Sequence, residues 1–343
     1  MLDAQRVKEL ALSLGADAVA IGSIDRWEGA PIQMDPRQIM PEAKSVIAMA
    51  FRVMRGSLRG VEEGTFFSNY SSMGYGGITY LYMPMTVINL AKAIEDEGYE
   101  AIPYGHQSDW RAIDGVGKLR KNYSKAVEPG RAHPDVMVHL RIASYLAGLG
   151  EIGFSKMLLT PQFGPRQRVG IVITEMELEP DPIMAPGTLC NRCMACVRAC
   201  PAGALSETKT VNVKLGGHDV EWTDIDVQLC DESFVGAVRV PKGEKGYYKP
   251  GSDQFKPAWF SPFFKKPRNL YNTGQAICGS RGCTRACMIS MEARGVIGNK
   301  FHQPFRRRKT WSIDWSDYDP AQEARPVGDP LYTRAETEKK ETD

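Results

Sequence analysis

Residues 190–201 read CNRCMACVRACP, and this short stretch decides how the chain is organised. Cys190, Cys193, Cys196 and Cys200 follow the spacing C-x2-C-x2-C-x3-C, with Pro201 directly after. In small bacterial iron–sulfur proteins such a run wraps cubanes: three thiolates grip one [4Fe–4S] cluster and the fourth reaches a second. The tight spacing lets one loop surround the cluster with backbone N–H groups facing the sulfurs, and the proline then turns the chain away. A zinc site rarely needs a fourth cysteine at this spacing.

If Cys200 serves a second cluster, its companions must come from elsewhere. The chain has eight cysteines, and the four that remain are Cys230, Cys278, Cys283 and Cys287. Crossed ligation gives cluster one Cys190, Cys193, Cys196 and Cys287, and cluster two Cys200, Cys230, Cys278 and Cys283. The expectation is therefore two complete [4Fe–4S] clusters with no thiol to spare. The second set is irregular: Cys278 and Cys283 are spaced C-x4-C, and Met288 stands where a proline is usual.

Upstream of the cysteines the pattern is layered. Val7, Leu10, Ala11 and Leu14 fall at helical spacing and Gly15 closes that helix. Residues 18–21 read as a short buried strand and residues 44–53 (KSVIAMAFRV) as a second. Residues 80–97 read as a long helix and 99–102 as strand-like, ending before Pro103. Residues 135–146 have helical character, and 156–160 and 168–174 look like two further strands. Helices and strands in alternation predict an α/β or α+β layered domain over residues 1–182. The cysteine domain follows over 183–300, with an aromatic and proline-rich insertion at 231–277. A polar C-terminal extension occupies 301–343.

Composition narrows the function. The 343 residues carry a net charge of only +2, so no global attraction to nucleic acid or anionic membrane is expected. No stretch approaches the roughly 20 apolar residues of a membrane span. The amphipathic opening lacks the pattern of a secretory or twin-arginine signal, so the expected location is the cytoplasm, where clustered cysteines more often bind metal than form disulfides. Neither a G-x-G-x-x-G turn after a strand nor a phosphate-binding G-x-x-x-x-G-K-[ST] loop is present. The five histidines, His106, His133, His139, His218 and His302, show no metal-ligand spacing and read as surface or packing residues.

Several segments together resemble the corrinoid-dependent iron–sulfur reductases, meaning reductive dehalogenases and epoxyqueuosine reductases. They are VKELALSLGADAVAIGSID (7–25), NLAKAIEDEGYEAIP (89–103) and, most specifically, AGLGEIGFSKMLLTPQFGPRQRVGIVIT (147–174) leading into the cysteine run. The distant Cys230 in DVQLCDES completes the likeness, which covers roughly residues 1–290. The string LTPQFGPR leans toward the dehalogenase side. The resemblance implies an α+β protein: a nitroreductase-like α/β domain cradling cobalamin, then a ferredoxin-like domain with both clusters. It implies a base-off corrinoid without a protein histidine on cobalt, in keeping with the missing D-x-H-x-x-G loop. It also implies an electron donor of the ferredoxin or flavodoxin type.

For the proton donor the resemblance points two ways. Epoxyqueuosine reductases carry a carboxylate at the start of the helix leading to A-G-L-G-x-I-G, and Asp135 stands within about one residue of that position. An acid at a helix start also has a plain role in the helix dipole. Reductive dehalogenases use a tyrosine supported by a basic residue, for which Tyr104 and Arg166 or Arg168 are the nearest matches. Tyr70, Tyr75 and Tyr80 read instead as core or cofactor-wall aromatics. The expected activity is reduction of a small, halogenated organic molecule beneath a lid that includes part of residues 247–264. The alternatives are a tRNA-modifying epoxyqueuosine reductase and a non-catalytic ferredoxin-type electron-transfer module. The basic run 306–309 (RRRK) reads as a solvated patch rather than an RNA site.

Overall fold

The computed structural model describes residues 2–66, 69–106, 125–134, 136–200, 203–227, 230, 237–239, 255–257 and 282–309. A four-stranded antiparallel sheet organises the first half, in the order β1–β2–β6–β3. Its strands are β1 (Ala18–Ser23), β2 (Ser45–Arg52), β3 (Ala101–Tyr104) and β6 (Gln167–Thr174). Two short paired strands, β4 (Glu151–Ile152) and β5 (Leu158–Leu159), lie between β3 and β6 in the chain. The helices flanking the sheet are α1 (Ala4–Ser13), α2 (Arg59–Glu63), α3 (Met83–Glu95) and α4 (Leu140–Leu146).

The unbroken apolar run 44–53 is explained by burial on both faces of the sheet. Ile47, Met49 and Phe51 join a core with α1 and α3, through Val7, Ala11, Val87 and Leu90. Val46, Ala48 and Ala50 point the other way, against Ala143, Tyr145 and Leu146 of α4. Alternate side chains of one strand thus feed two cores, and each fully buried Val, Ile, Phe or Met contributes roughly 1.5–3 kcal/mol.

Three sequence expectations shift. The strand near Pro103 includes that proline, because β3 is an edge strand whose outer side needs no ladder donor. The helix expected from residue 135 begins at Leu140, capped by the ring of His139, because residues 136–138 run to the Tyr104 hydroxyl instead. The helix expected from residue 80 is α only from Met83; before it runs a π-helix, Tyr70–Tyr82, over the glycine-rich segment. Its i→i+5 hydrogen bonding brings residues five apart together, and the rings of Tyr75 and Tyr80 meet edge to face at 5.9 Å. Tyr70 and Tyr75 are buried, as expected of core aromatics.

A hairpin that periodicity had not disclosed follows the cysteine run: β7 (Leu205–Leu215) and β8 (His218–Ile225). Gly216 and Gly217 turn it with φ of +53° and +87°, the left-handed pair that a two-residue hairpin favours. The signal was the GG dipeptide after the alternating TVNVKL. Further on, α5 (Ala195–Arg198) and α6 (Cys283–Ala293) carry the cysteines. Residues 237–239 and 255–257 form a small strand pair, β9 and β10. The rest of the insertion, including most of the lid expected at 247–264, lies outside the described residues, as does the tail beyond 309. Among the described residues, no helix is long and apolar enough to cross a membrane.

Residues 301–309 fold back onto α2 and α6. Phe305 is buried in the first core, and Arg306 Nε donates to Glu62 Oε1 at 2.7 Å. Arg285, between Cys283 and Cys287, reaches the same carboxylate at 2.7 Å from inside. Arg308 pairs with Glu63 at 3.1 Å. Half of the basic run is thus engaged with acids of α2.

Candidate functional site: two thiol groups beside a basic cleft

The cysteine loop is held from below by the AGLGEIG segment. Gly148 sits at φ +91°, and a Cβ there would fall 2.4 Å from the Pro182 carbonyl; one on Gly150 would fall 2.1 Å from that of Leu159. Only glycine lets these backbones close so tightly. The closure buries Glu151, whose carboxylate accepts from the N–H groups of Gly187 (2.7 Å), Leu189 (2.6 Å) and Cys190 (3.1 Å). The Phe154 N–H then donates to Cys190 Sγ at 3.3 Å. Glu151 is a supporting residue that the sequence had marked only as part of a motif.

The thiols of the run lie within electrostatic reach of Cys283 and Cys287, although among the described residues no three His, Cys, Asp or Glu side chains are gathered as a metal-ion site. Burial pushes Cys196 up to about 11, helped by the negative charge that Cys283, Cys190 and Cys193 would carry beside it. Burial also raises Cys287, and its neighbours in the same sense are Cys190, Cys196, Cys193 and Cys283. Cys283, raised by burial, faces Cys200 and is relieved by Arg141. Cys287 therefore lies near Cys190, Cys193 and Cys196, and Cys283 lies near Cys200 and also near Cys196 and Cys287.

This donor set fits iron–sulfur clusters. Buried thiols that oppose one another's ionisation are stabilised as thiolates by a cationic metal core. Backbone N–H groups already face the sulfurs, including that of Ala204 toward Cys200 at 3.3 Å and those of Ala195, Val197 and Thr284 toward Cys193, Cys196 and Cys283. Cys230 is described and exposed. Cys278 lies outside the described residues.

Beside the second thiol group opens a cleft of about 210 Å3, lined by Thr79, Tyr104, His106, His139, Arg141 and Arg168 among others. Arg168, on β6, donates from Nε to Thr79 Oγ1 at 3.0 Å and stacks its guanidinium 4.3 Å over the Tyr75 ring. Tyr104, at the end of β3, accepts from the Val138 N–H at 3.0 Å and donates to the Val136 carbonyl at 3.3 Å. Tyr104 and Arg168 thus share one cleft, and the tyrosine hydroxyl ties down the segment immediately after Asp135. Asp135 itself lies outside the described residues. Arg166 does not reach this cleft: it is buried, donating to the Val53 carbonyl at 2.7 Å and to Asn299 Oδ1 at 2.9 Å.

The sequence gives Arg141 no role and marks His139 only as a surface or packing residue. Arg141 donates to the Lys156 carbonyl at 3.1 Å. Its charge is disfavoured by burial and by Arg168, and favoured by Cys283 and Cys230. Burial, then Lys156 and Arg141, lower His139 to about 4, so it is neutral at pH 7. The described lining carries two arginines and no carboxylate, an environment suited to negative charge. Nothing in local spacing announces it, since its residues come from the π-helix, β3, β6 and the approach to α4.

Comparison with known proteins finds a family match and relatives of two kinds. The family model described as a 4Fe-4S binding domain matches residues 188–206. A tetrachloroethene reductive dehalogenase of Desulfitobacterium hafniense is 45% identical over 69 residues, covering 20% of this chain and 12% of the dehalogenase. An epoxyqueuosine reductase of Synechococcus sp. is 24% identical over 210 residues, covering 59% of this chain and 53% of the reductase. Among solved structures, a catabolic reductive dehalogenase in complex with 3-bromo-4-hydroxybenzoic acid matches with a TM-score of 0.46 at 19% identity, covering 85% of this chain and 35% of that one. The matches span from about an eighth to about half the length of these curated relatives. The homologues of this mixed α/β chain, with its 4Fe-4S motif, are thus reductases of two kinds, reductive dehalogenases and epoxyqueuosine reductases.

Proposed function

We propose that the chain is an iron–sulfur reductase of the reductive dehalogenase-like kind, delivering electrons singly to a small, halogenated organic substrate in the cleft. The observation that carries this reading is Arg141, which lines the cleft while its charge acts on Cys283 and Cys230. Arg141 therefore links the cleft electrostatically to Cys283 and Cys230. In this reading Cys190, Cys193, Cys196 and Cys287 hold one [4Fe–4S] cluster, and Cys200, Cys230, Cys278 and Cys283 hold the other. When bound, the clusters supply single low-potential electrons. Residues 1–182 form a nitroreductase-like domain and 183–300 the ferredoxin-like one.

The chain's own residues divide the remaining tasks. Arg168, fixed by Thr79 and Tyr75, meets negative charge on the substrate or a departing halide. Asp135 is the proton donor, and Tyr104 positions it by holding residues 136–138. His139, neutral, lines the wall without adding charge. A corrinoid is the cofactor that the resemblance implies. The cleft between the described residues is smaller than the roughly 300–1,000 Å3 that encloses drug-sized ligands, and a corrin macrocycle is larger still. The described lining of this cleft does not enclose one, and the roles assigned above stand without it.

Anaerobic preparation with iron and cobalt analysis, followed by halide-release assays on haloaromatics and haloalkenes, tests the proposal. Halide release with about eight irons per chain supports it. Iron near four after full reconstitution, or no halide from any substrate, counts against it. One observation favours a second reading as an epoxyqueuosine reductase: the match to such an enzyme covers 59% of this chain. Reduction of epoxyqueuosine-containing tRNA, with binding that weakens steeply as salt rises, would establish that reading instead.

A further inference from the structure

Each thiol group has an exposed member among the described residues, Cys193 in the first and Cys230 in the second. In the first, Cys196 is buried, Cys190 and Cys287 are half-buried, and Cys193 is exposed. Arginines surround Cys193. Arg198, exposed, donates to the Cys193 carbonyl at 2.9 Å. Arg294, also exposed, anchors one nitrogen on the Leu189 carbonyl at 2.8 Å. Arg192, at φ +53°, presents an exposed side chain paired with Glu221 at the rim. The charged side chains that act on Cys193 are Arg294 and Arg198, both cations. In the second thiol group, Cys283 lies within electrostatic reach of Arg141, which lines the cleft.

We propose that the arginine-lined face around Cys193 is where electrons enter, and that it docks an acidic, low-potential one-electron carrier protein. The proposal rests on the cluster reading above. Electron transfer needs a donor brought close to a cluster edge, and Cys193 is the exposed thiol of its group. The chain's net charge of +2 is too small to steer a partner by itself, so local charge must do so. Redox encounters use small, polar, short-lived interfaces, and a ring of arginines around a sulfur ligand suits one. Each docking moves one electron: the carrier loses one, the cluster gains one, and no bond is made or broken. Reducing a substrate by two electrons therefore takes two dockings.

The test is anaerobic stopped-flow reduction of the cluster-loaded protein by reduced flavodoxin, an acidic carrier, with methyl viologen radical, a small cation, in parallel. Iron is measured first. Arg192→Glu should slow the flavodoxin reaction, and Arg192→Glu with Arg294→Glu should slow it on the order of tenfold. Added salt should slow the wild-type flavodoxin reaction, while methyl viologen reduces all variants at the wild-type rate or faster. Arg192 pairs with Glu221 and its guanidinium lies 5.6 Å from the centre of the Phe154 ring, so the single variant keeps the test open if the double variant loses its fold. A flavodoxin rate indifferent to salt and to Arg192→Glu, in protein with full iron, overturns the docking face alone. Equal slowing with both reductants also overturns it, since the damage would then lie in the cluster. Protein that takes up no iron overturns both the docking face and the reading beneath it.

Discussion

Glu151 Oε2 accepts the backbone N–H of Cys190 at 3.1 Å, so a carboxylate from the AGLGEIG segment holds the first residue of the cysteine run. The same side chain takes the Gly187 and Leu189 N–H groups and is 2% exposed. Glu151→Ala leaves those donors without an acceptor, at a cost of about 1–3 kcal/mol for each one that stays buried. The expected outcome is lower thermal stability and loss of iron from the first cluster, read as a fall in iron content toward half. Unchanged iron and melting temperature would reduce Glu151 to a bystander.

Cys287 stands among Cys190, Cys193 and Cys196, and Cys283 faces Cys200. Cys287→Ala should therefore perturb the cluster of the first three cysteines, and Cys283→Ala the other. Electron paramagnetic resonance of the two reduced variants should show different surviving signals. Identical spectra would refute the crossed assignment.

Arg168 is held by Thr79 and stacked on Tyr75. Arg168→Lys keeps the charge but loses the planar stack and the directed Nε–H, so it is not conservative here. Turnover should fall by roughly 10–100-fold, about 1.4–2.7 kcal/mol of barrier, with both clusters intact. Asp135→Asn should cost more, about 10²–10⁴-fold, if it gives the proton. Full turnover in Asp135→Asn would move that role elsewhere in the cleft.

His139 offers a test by pH. Burial, Lys156 and Arg141 lower it to about 4, against about 6.5 when unfolded. Between those values the unfolded chain binds the proton and the folded one does not, so stability rises with pH across the window and is lost as pH falls through it. The full gap corresponds to roughly 3 kcal/mol at the buried limit. Partial exposure brings the expected figure to about 1–2 kcal/mol. Urea unfolding of wild type and His139→Gln at both ends of the window measures it: the variant should lose that slope.

Glu62 receives Arg285 from α6 and Arg306 from the returning segment, both at 2.7 Å. Glu62→Ala removes the carboxylate opposite buried Arg285, which keeps the Val61 carbonyl as an acceptor, and costs about 3–5 kcal/mol. The expected readout is a lower urea midpoint together with looser binding of iron, because α6 carries Cys283 and Cys287. A midpoint within error of wild type would show that the pair is dispensable.

How much of this was legible beforehand differs by element. The strands of the central sheet were, because residues 44–53 and 168–174 are apolar enough to be buried on both faces. The helix at residue 135 was not, because its first residues are claimed by the Tyr104 hydroxyl from a distant strand. The hairpin at 205–225 was passed over although its GG turn was visible. Arg141 and Glu151 carry no spacing signal; one acts on thiols far along the chain, and the other on a loop folded against it.

By itself the sequence determined the chemistry of the cysteine run as 4Fe-4S binding, because three thiols so closely spaced can face one cluster through local backbone turns alone. It also determined where glycine is required, at Gly148 and Gly150, since no side chain fits where those backbones close. Only the tertiary structure brings the distant thiols near the run: Cys283 and Cys287 sit one helical turn apart on α6, which packs against α5. The cleft was likewise decided by tertiary structure. Tyr104, Arg141 and Arg168 come from β3, α4 and β6, and the antiparallel register of β3 with β6, closed over by the approach to α4, brings their side chains to one wall.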